Sequence, residues 1–120
     1  MDPTAASASI VTTTIFPVLD MAAASAFYRG LGFTIEAFDE HYAFVRHGDR
    51  EILHLQQAAV LDPVSNGSGV YLHVDDADAW HARWTANDVA LSDIADEPWG
   101  MREFSFTDPS GNLIRVGHNL

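Results

Sequence analysis

Few side chains in this sequence of 120 residues could carry out covalent chemistry. The chain has no cysteine, which excludes a thiol nucleophile, a thiolate metal site and a disulfide. It also lacks a Gly-x-Ser-x-Gly nucleophile motif and a glycine loop of the kind that binds phosphate. No spacing of Asp and Glu singles out a pair for acid and base catalysis. The sequence therefore gives no support to nucleophilic catalysis.

A tryptophan in the segment EPWGMREF is the main candidate for a binding role. Trp99 stands between Pro98 and Gly100, two residues that are typical of a turn. An indole at such a corner offers a large flat face, and aromatic stacking adds roughly 0.5–1.5 kcal/mol beyond the burial of area. The alternative role of Trp99 is packing against the hairpin that follows. Both interpretations stay open at this point.

The net charge of the sequence limits the classes of partner that the protein can bind. With 17 acidic residues against 6 basic ones, the formal net charge is −11 at pH 7. Such a surface repels nucleic-acid phosphates and anionic membranes, whereas it attracts cations. Acidity also keeps a small protein soluble, so the charge favours a cationic partner without identifying it. We expect neither nucleic acid nor a membrane as a partner.

The N-terminal segment has the features of a tail and not of a targeting signal. It lacks a basic start and a long apolar core, and no later apolar run is long enough to span a bilayer. Together with the absence of cysteine, this predicts a cytoplasmic protein. Residues 1–9 are small and polar, and we expect them to be flexible.

Residues 10–57 have the pattern of a strand, a helix and three further strands. The first run is rich in β-branched residues, but Pro17 cannot donate a hydrogen bond in a sheet, so the strand must end, bend or lie on an edge there. Asp20 is suited to cap a helix over 21–30, which is rich in alanine. The HGDR segment at 47–50 then predicts the turn of a hairpin.

The second half repeats this pattern after a linker at 58–68 that is rich in Pro, Asn and Gly. Residues 69–118 begin with a strand and a capping Asp, and a helix with Trp80 and Trp84 follows before the last strands. The two tryptophans lie one helical turn apart, so packing against the sheet is their expected role. Two βαβββ modules each leave one sheet face uncovered. We therefore predict one α+β domain over 10–120.

Three segments carry a resemblance to a known family: FPVLDMAAASAFYRGLGF, VYLHVDDADAWHARW and EPWGMREFSFTDPSGNLIRV. Together they resemble the vicinal oxygen chelate superfamily, which includes glyoxalase I, extradiol dioxygenases and bleomycin-resistance proteins. The resemblance extends from Ile10 to His118 and implies two modules whose mixed sheet curves around a cavity. These motifs are signatures of the fold and do not by themselves indicate a reaction.

In the metal-dependent members of the family, the first and last strands of each module supply the ligands. The resemblance carries these four positions to the neighbourhood of Thr13, His54, Gly69 and Arg115. Glycine has no donor side chain and a guanidinium has no lone pair to give, so two of these positions are excluded and only His54 is suitable. The resemblance in this form implies no metal and no other cofactor.

A shifted metal site is the alternative. His73 lies two residues beyond Gly69 on the same face of a strand, and Glu103 could point into the same cavity. With His54 they form a ligand set for a divergent metal-dependent lyase or dioxygenase. Three scattered donors are weak support for such a site, because cavity histidines are more often held by hydrogen bonds.

The non-catalytic bleomycin-resistance branch resembles the sequence in more details. Its members are acidic homodimers that exchange an N-terminal strand about a proline hinge and sequester a cationic antibiotic at the subunit interface. The resemblance places the hinge at Pro17. It also implies that Trp99 stacks on the flat part of the antibiotic, opposite Phe38 or Tyr42 of the first module. Four carboxylates beside these walls would attract the cation: Asp39, Glu40, Glu97 and Glu103.

We therefore expect a homodimeric protein that sequesters a bleomycin-like antibiotic without catalysis. The same cavity could also be lined for a different small molecule. Met101 is one residue more than the family element contains, and it could shift the register of the clamp by one. The expected binding residues come from both modules: Phe38, Tyr42, His54, His73, Trp99, Gly100, Arg102, Glu103 and Arg115.

Overall fold

The computed structural model describes residues 9–120, so most of the predicted tail lies outside the described residues. The first module contains β1 (Thr14–Val18), α1 (Met21–Gly30), β2 (Thr34–Ala37), β3 (Tyr42–His47) and β4 (Arg50–Gln57). The second contains β5 (Gly69–His73), α2 (Ala77–Ala86), β6 (Ala95–Glu97), β7 (Met101–Thr107) and β8 (Leu113–Asn119). The predicted α+β fold of two βαβββ modules is confirmed. Neither helix of the described chain has the length and apolarity needed to cross a membrane.

Each module forms one four-stranded mixed sheet. Sheet one has the order β1-β4-β3-β2 and sheet two has the order β5-β8-β7-β6. The first strand of each module is parallel to the last, and the other neighbours are antiparallel. Because β1 lies on an edge, it accommodates Pro17 although proline has no N–H to donate. The predicted hairpin is also present, since His47 pairs with Arg50.

The two helices begin and end alike. Asp20 and Asp76 are N-caps, and the carboxylate of each accepts a hydrogen bond of 3.1 Å from the backbone N–H three residues later. Two residues after each helix comes a positive φ, of 95° at Gly32 and 62° at Asp88. Both helices contain 10 residues. The internal repeat predicted from the sequence is therefore present in the backbone.

The core lies between the modules, on the faces of the sheets that the helices cover. Trp84 is the largest fully buried side chain, and its indole N–H donates to the carbonyl oxygen of Leu31 at 2.9 Å, so its predicted packing role is confirmed. Strand residues alternate between faces, and His54 therefore lies opposite to buried Leu53 and Leu55. We call the faces that no helix covers the open face of sheet one and the open face of sheet two.

The DPSGN segment at 108–112, between β7 and β8, joins the modules through buried hydrogen bonds. The Tyr28 hydroxyl donates to Asp108 Oδ2 at 2.8 Å. Asn112 Nδ2 donates to the same carboxylate oxygen and to the carbonyl oxygen of Pro17, both at 2.9 Å. This segment therefore has a structural role, in agreement with its description as a fold signature.

Tyr28 should make the stability of the protein depend on pH in the alkaline range. Burial raises the pKa of Tyr28 far above its usual value, and the Asp108 carboxylate raises it further. The neutral phenol stabilises the fold fully below the unfolded-state pKa of about 10, and this contribution decreases as the pH rises above that value. We expect urea denaturation to give a decreasing free energy of unfolding between about pH 10 and 12. Tyr28→Phe should flatten this decrease.

The sequence contains no lysine, so few groups other than tyrosine titrate in this pH range. Tyr42→Phe is the matched control because Tyr42 lies on the open face of sheet one and is only partly buried. It should retain the alkaline decrease. The same decrease in Tyr28→Phe as in the control would contradict the assignment.

Candidate functional site

The open face of sheet one carries an aromatic cluster. The rings of Tyr42, Phe44 and His54 lie with their centroids between 4.8 and 5.8 Å apart. Phe38, in the loop before β3, is 72% exposed. A cavity of about 420 Å³ is lined by seven residues on this face: Phe38, Asp39, His41, Tyr42, Phe44, Gln56 and Gln57. Two expected aromatic residues and one expected carboxylate are thus together, whereas Glu40 is exposed in the adjoining loop.

His54 belongs to a polar chain on the same face. The hydroxyl of Tyr42 lies 2.6 Å from His54 Nδ1, and Nε2 contacts the carboxylate of Glu51. Arg46 forms ion pairs with Glu51 at 3.8 Å and with Glu36 at 3.1 Å. Because both ring nitrogens have partners, His54 fits the arrangement of a hydrogen-bonded cavity histidine better than that of a metal ligand.

Trp99 lies in the turn between β6 and β7 and is 60% exposed. The N–H of Gly100 donates to the carbonyl oxygen of Glu97 at 3.0 Å, and Gly100 has a φ of 83° that suits glycine. Met101 pairs with Glu97 as the first pair of the hairpin. The register of β6 and β7 stays regular with Met101 included. Trp99 is therefore presented at a tight turn and is not part of the core.

Glu103 fixes the indole of Trp99. The Nε1–H group donates to Glu103 Oε1 at 2.6 Å, although Glu103 itself is only 6% exposed. A cavity of about 140 Å³ adjoins this contact and has eight lining residues: Ser92, Asp93, Glu97, Trp99, Glu103, Phe104, Ser105 and Arg115. The structure thus brings together Trp99, Glu103 and Arg115, which sequence reasoning had placed in one site.

Sequence reasoning missed Tyr71, which lies in β5 beside this group. A β-carbon on Gly117 of β8 would lie 2.1 Å from the Tyr71 hydroxyl and 2.9 Å from the β-carbon of Glu103. The hydroxyl therefore lies over Gly117, next to Glu103. Burial raises the pKa of Tyr71, and the charge of the Glu103 carboxylate raises it further. The available signal was the glycine inside a strand, because such a glycine often marks a close approach.

One expected binding residue, Arg102, points away from this group. Arg102 alternates with Glu103 along β7, so it points to the helix-covered face. There it donates to Asp78 at 2.8 and 2.9 Å and to Asp96 at 2.9 Å. Within one chain Arg102 is therefore engaged away from Trp99, and its role in binding stays a prediction. His73, at the end of β5, has its ring centroid 4.7 Å from that of Tyr71, and both side chains line a cavity of about 480 Å³ where the two modules meet.

The alternative metal set is not assembled within one chain. His54 lies on sheet one, whereas His73 and Glu103 lie on sheet two. Across residues 9–120, no three His, Asp or Glu side chains are placed to hold a metal ion. At two of the positions to which the resemblance assigns the metal ligands of the family, Gly69 begins β5 and the exposed Arg115 lies in β8. The residues present do not fit the metal of such enzymes.

Residues 9–116 match the sequence model of the Glyoxalase/Bleomycin resistance protein/Dioxygenase superfamily. The chain belongs to this superfamily. The match extends over both modules and includes the DPSGN segment. No functionally curated protein matches the sequence.

Solved structures of this superfamily share the fold. A bleomycin-binding protein complexed with bleomycin has a TM-score of 0.84 and 23% identity, with 93% of this chain and 100% of that chain covered. A bleomycin-binding protein from bleomycin-producing Streptomyces verticillus, complexed with copper(II)-bleomycin, has a TM-score of 0.79 and 26% identity, with 93% and 98% covered. Lactoylglutathione lyase from Agrobacterium tumefaciens has a TM-score of 0.72 and 24% identity, with 92% and 93% covered. Binding proteins and an enzyme share the fold, so the fold alone does not assign an activity.

Proposed function

We propose that this protein binds and sequesters a cationic, planar antibiotic of the bleomycin type and catalyses no reaction. The exposed indole of Trp99, held by the buried Glu103, is the observation that carries this proposal. A flat aromatic surface that is already fixed gains stacking energy and loses little freedom when a ligand binds. Two proteins of the same fold are named for their binding of bleomycin.

The second wall of the site is proposed to come from another subunit. The cavity beside Phe38 and the cavity beside Trp99 share no residue, so these two side chains do not form one clamp in a single chain. The radius of gyration of 15.7 Å also exceeds the value of about 14 Å expected for a compact chain of this length. In a homodimer, the open face of sheet one would face the open face of sheet two of the partner.

Exchange of the N-terminal strand is part of the proposed dimer. Pairing with β4 is the sheet contact of β1, and β4 of a partner would provide the same parallel register. The described segment before β1 has no regular secondary structure, and its Ile10 and Val11 are exposed by 86% and 93%. Burial of these apolar side chains against a second subunit would stabilise the exchange. Pro17 is then the proposed hinge.

The charges near both walls suit a cationic ligand. Asp39 lines the cavity beside Phe38, while Asp93 and Glu97 line the cavity beside Trp99. Arg115 is the basic residue lining the second cavity, where its guanidinium can donate to the amide oxygens of a ligand. The net charge of −11 would also increase the rate of encounter with a cation.

Titration calorimetry with metal-free bleomycin tests the proposal. We expect saturable binding with one ligand for each subunit, and sedimentation equilibrium should give twice the chain mass. The absence of binding heat, together with an unchanged signal of tryptophan fluorescence, would contradict antibiotic binding. Elemental analysis of the purified protein gives a second check, since about one transition metal ion per subunit would favour a metal-dependent enzyme.

A further inference from the structure

Glu103 is a buried carboxylate whose two oxygens have different surroundings. Oε1 accepts the hydrogen bond from the Trp99 indole at 2.6 Å. Oε2 is shielded from solvent, and neither it nor the Tyr71 hydroxyl has a hydrogen-bond partner of good geometry among residues 9–120. A buried carboxylate is unfavourable unless neighbouring dipoles compensate its charge. An oxygen without solvent access is also poorly placed to contact a ligand on the open face.

Three adjacent strands bring the phenol of Tyr71 to this carboxylate. Gly117 of β8 pairs with Glu103 of β7 on one side and with His73 of β5 on the other. Because Gly117 has no side chain, the ring of Tyr71 crosses β8, and its hydroxyl occupies the place of a β-carbon. The phenol therefore lies close to the carboxylate, whose charge adds to the effect of burial in raising the pKa of Tyr71.

We infer that Glu103 and Tyr71 are positioning residues, which hold the Trp99 indole in one orientation and do not themselves contact the ligand. Glu103 binds the indole directly, and Tyr71 supports the carboxylate from across Gly117. A ring that is 60% exposed would otherwise rotate among several rotamers, and a ligand would have to order it. The effect on affinity rests on the proposed function, whereas the orientation of the indole is a property of the free protein.

Hydrogen exchange of the indole N–H groups tests the inference without a ligand. The chain has three tryptophans, so a ¹H–¹⁵N spectrum shows three indole signals, and Trp99→Phe assigns one of them. We expect slow exchange for Trp99 despite its exposure. Glu103→Ala should accelerate this exchange at least about tenfold. Trp84 is the internal control, because its N–H donates to Leu31 in the core and should not change.

Two conservative variants distinguish positioning from a general loss of structure. Glu103→Gln keeps an acceptor oxygen for the indole and should restore most of the protection of Trp99. Tyr71→Phe keeps the ring and removes only the hydroxyl, and it should accelerate Trp99 exchange by a few fold while Trp84 stays protected. Fast exchange of Trp99 in the wild-type protein, or equal exchange in wild type and Glu103→Ala, would overturn the inference.

A double-mutant cycle with metal-free bleomycin then separates positioning from direct contact. Glu103→Ala should weaken binding about tenfold in the wild-type background and have no further effect in the Trp99→Ala background. An equal loss in both backgrounds would mean that Glu103 contacts the ligand, which would overturn the inference. If the wild-type protein does not bind bleomycin, the proposed function fails, and the exchange measurements alone decide whether Glu103 and Tyr71 hold the indole.

Discussion

Asn112→Ala is expected to lower the free energy of unfolding by about 3–5 kcal/mol. Asn112 is completely buried, and its amide donates to Asp108 and to the carbonyl oxygen of Pro17. Its side-chain oxygen accepts a hydrogen bond of 2.8 Å from Asn66. Alanine would remove one donor from Asp108 and would leave the partly buried carbonyl of Pro17 and amide of Asn66 without this partner, and each lost pairing costs about 1–3 kcal/mol. The hydrogen bond between β1 and the DPSGN segment is one of these three pairings.

Urea denaturation at neutral pH, followed by circular dichroism, measures this effect. Asn87→Ala provides a matched control because Asn87 is exposed at the end of α2. The control should change the free energy of unfolding by no more than about 0.5 kcal/mol. If Asn112→Ala were as stable as the control, the hydrogen bonds of the DPSGN segment would not contribute as described.

Trp99→Ala is expected to weaken the binding of metal-free bleomycin by about 10- to 100-fold, which corresponds to about 1.4–2.7 kcal/mol. The substitution removes the flat surface on which the proposed ligand stacks. Because Trp99 is 60% exposed at a turn, and because its removal would open Glu103 Oε1 to water in place of the lost indole N–H, the free energy of unfolding should change by less than about 1 kcal/mol. Calorimetric titration and urea denaturation of the same preparation measure the two quantities.

Two further substitutions give this prediction its controls. Trp99→Phe keeps an aromatic face and should lose less affinity than Trp99→Ala. Phe38→Ala removes the proposed opposite wall, where the ring is 72% exposed, and should weaken binding by a similar factor. Unchanged affinity in Trp99→Ala would exclude the indole as a wall of the site and leave the fold assignment intact.

Local signals in the sequence predicted much of the fold. The cap at Asp20 and the alanine-rich run after it placed a helix over 21–30, which is where α1 lies, because capping and propensity act within one turn. The HGDR turn was likewise predicted from neighbouring residues, and the repeat was predicted from the order of such local patterns. Pro17 was predicted to end, bend or border a strand, and the edge position of β1 selects the last of these alternatives.

Contacts that depend on the pairing of strands distant in sequence were harder to predict from the sequence. Trp99 was recognised as a turn residue from its neighbours, but the approach of Tyr71 to Glu103 depends on the register of three strands. Arg102 was placed in the site by its position in a motif. The alternation of β7, in which buried Phe104 and Phe106 share its face, places it against α2 instead. Arg102 pairs with Asp78 because both lie on the helix-covered side of sheet two, and the motif alone did not contain this information.

The repeated order of the modules places the two proposed walls at equivalent loops. Phe38 follows β2 and precedes β3, and Trp99 follows β6 and precedes β7. The two proposed walls therefore occupy the same place in the strand order of the two modules. A homodimer of the proposed kind would contain two identical clefts, and each cleft would have a phenyl ring on one side and an indole on the other. In such a dimer, equivalent loops of a repeated fold would provide two chemically different walls for one ligand.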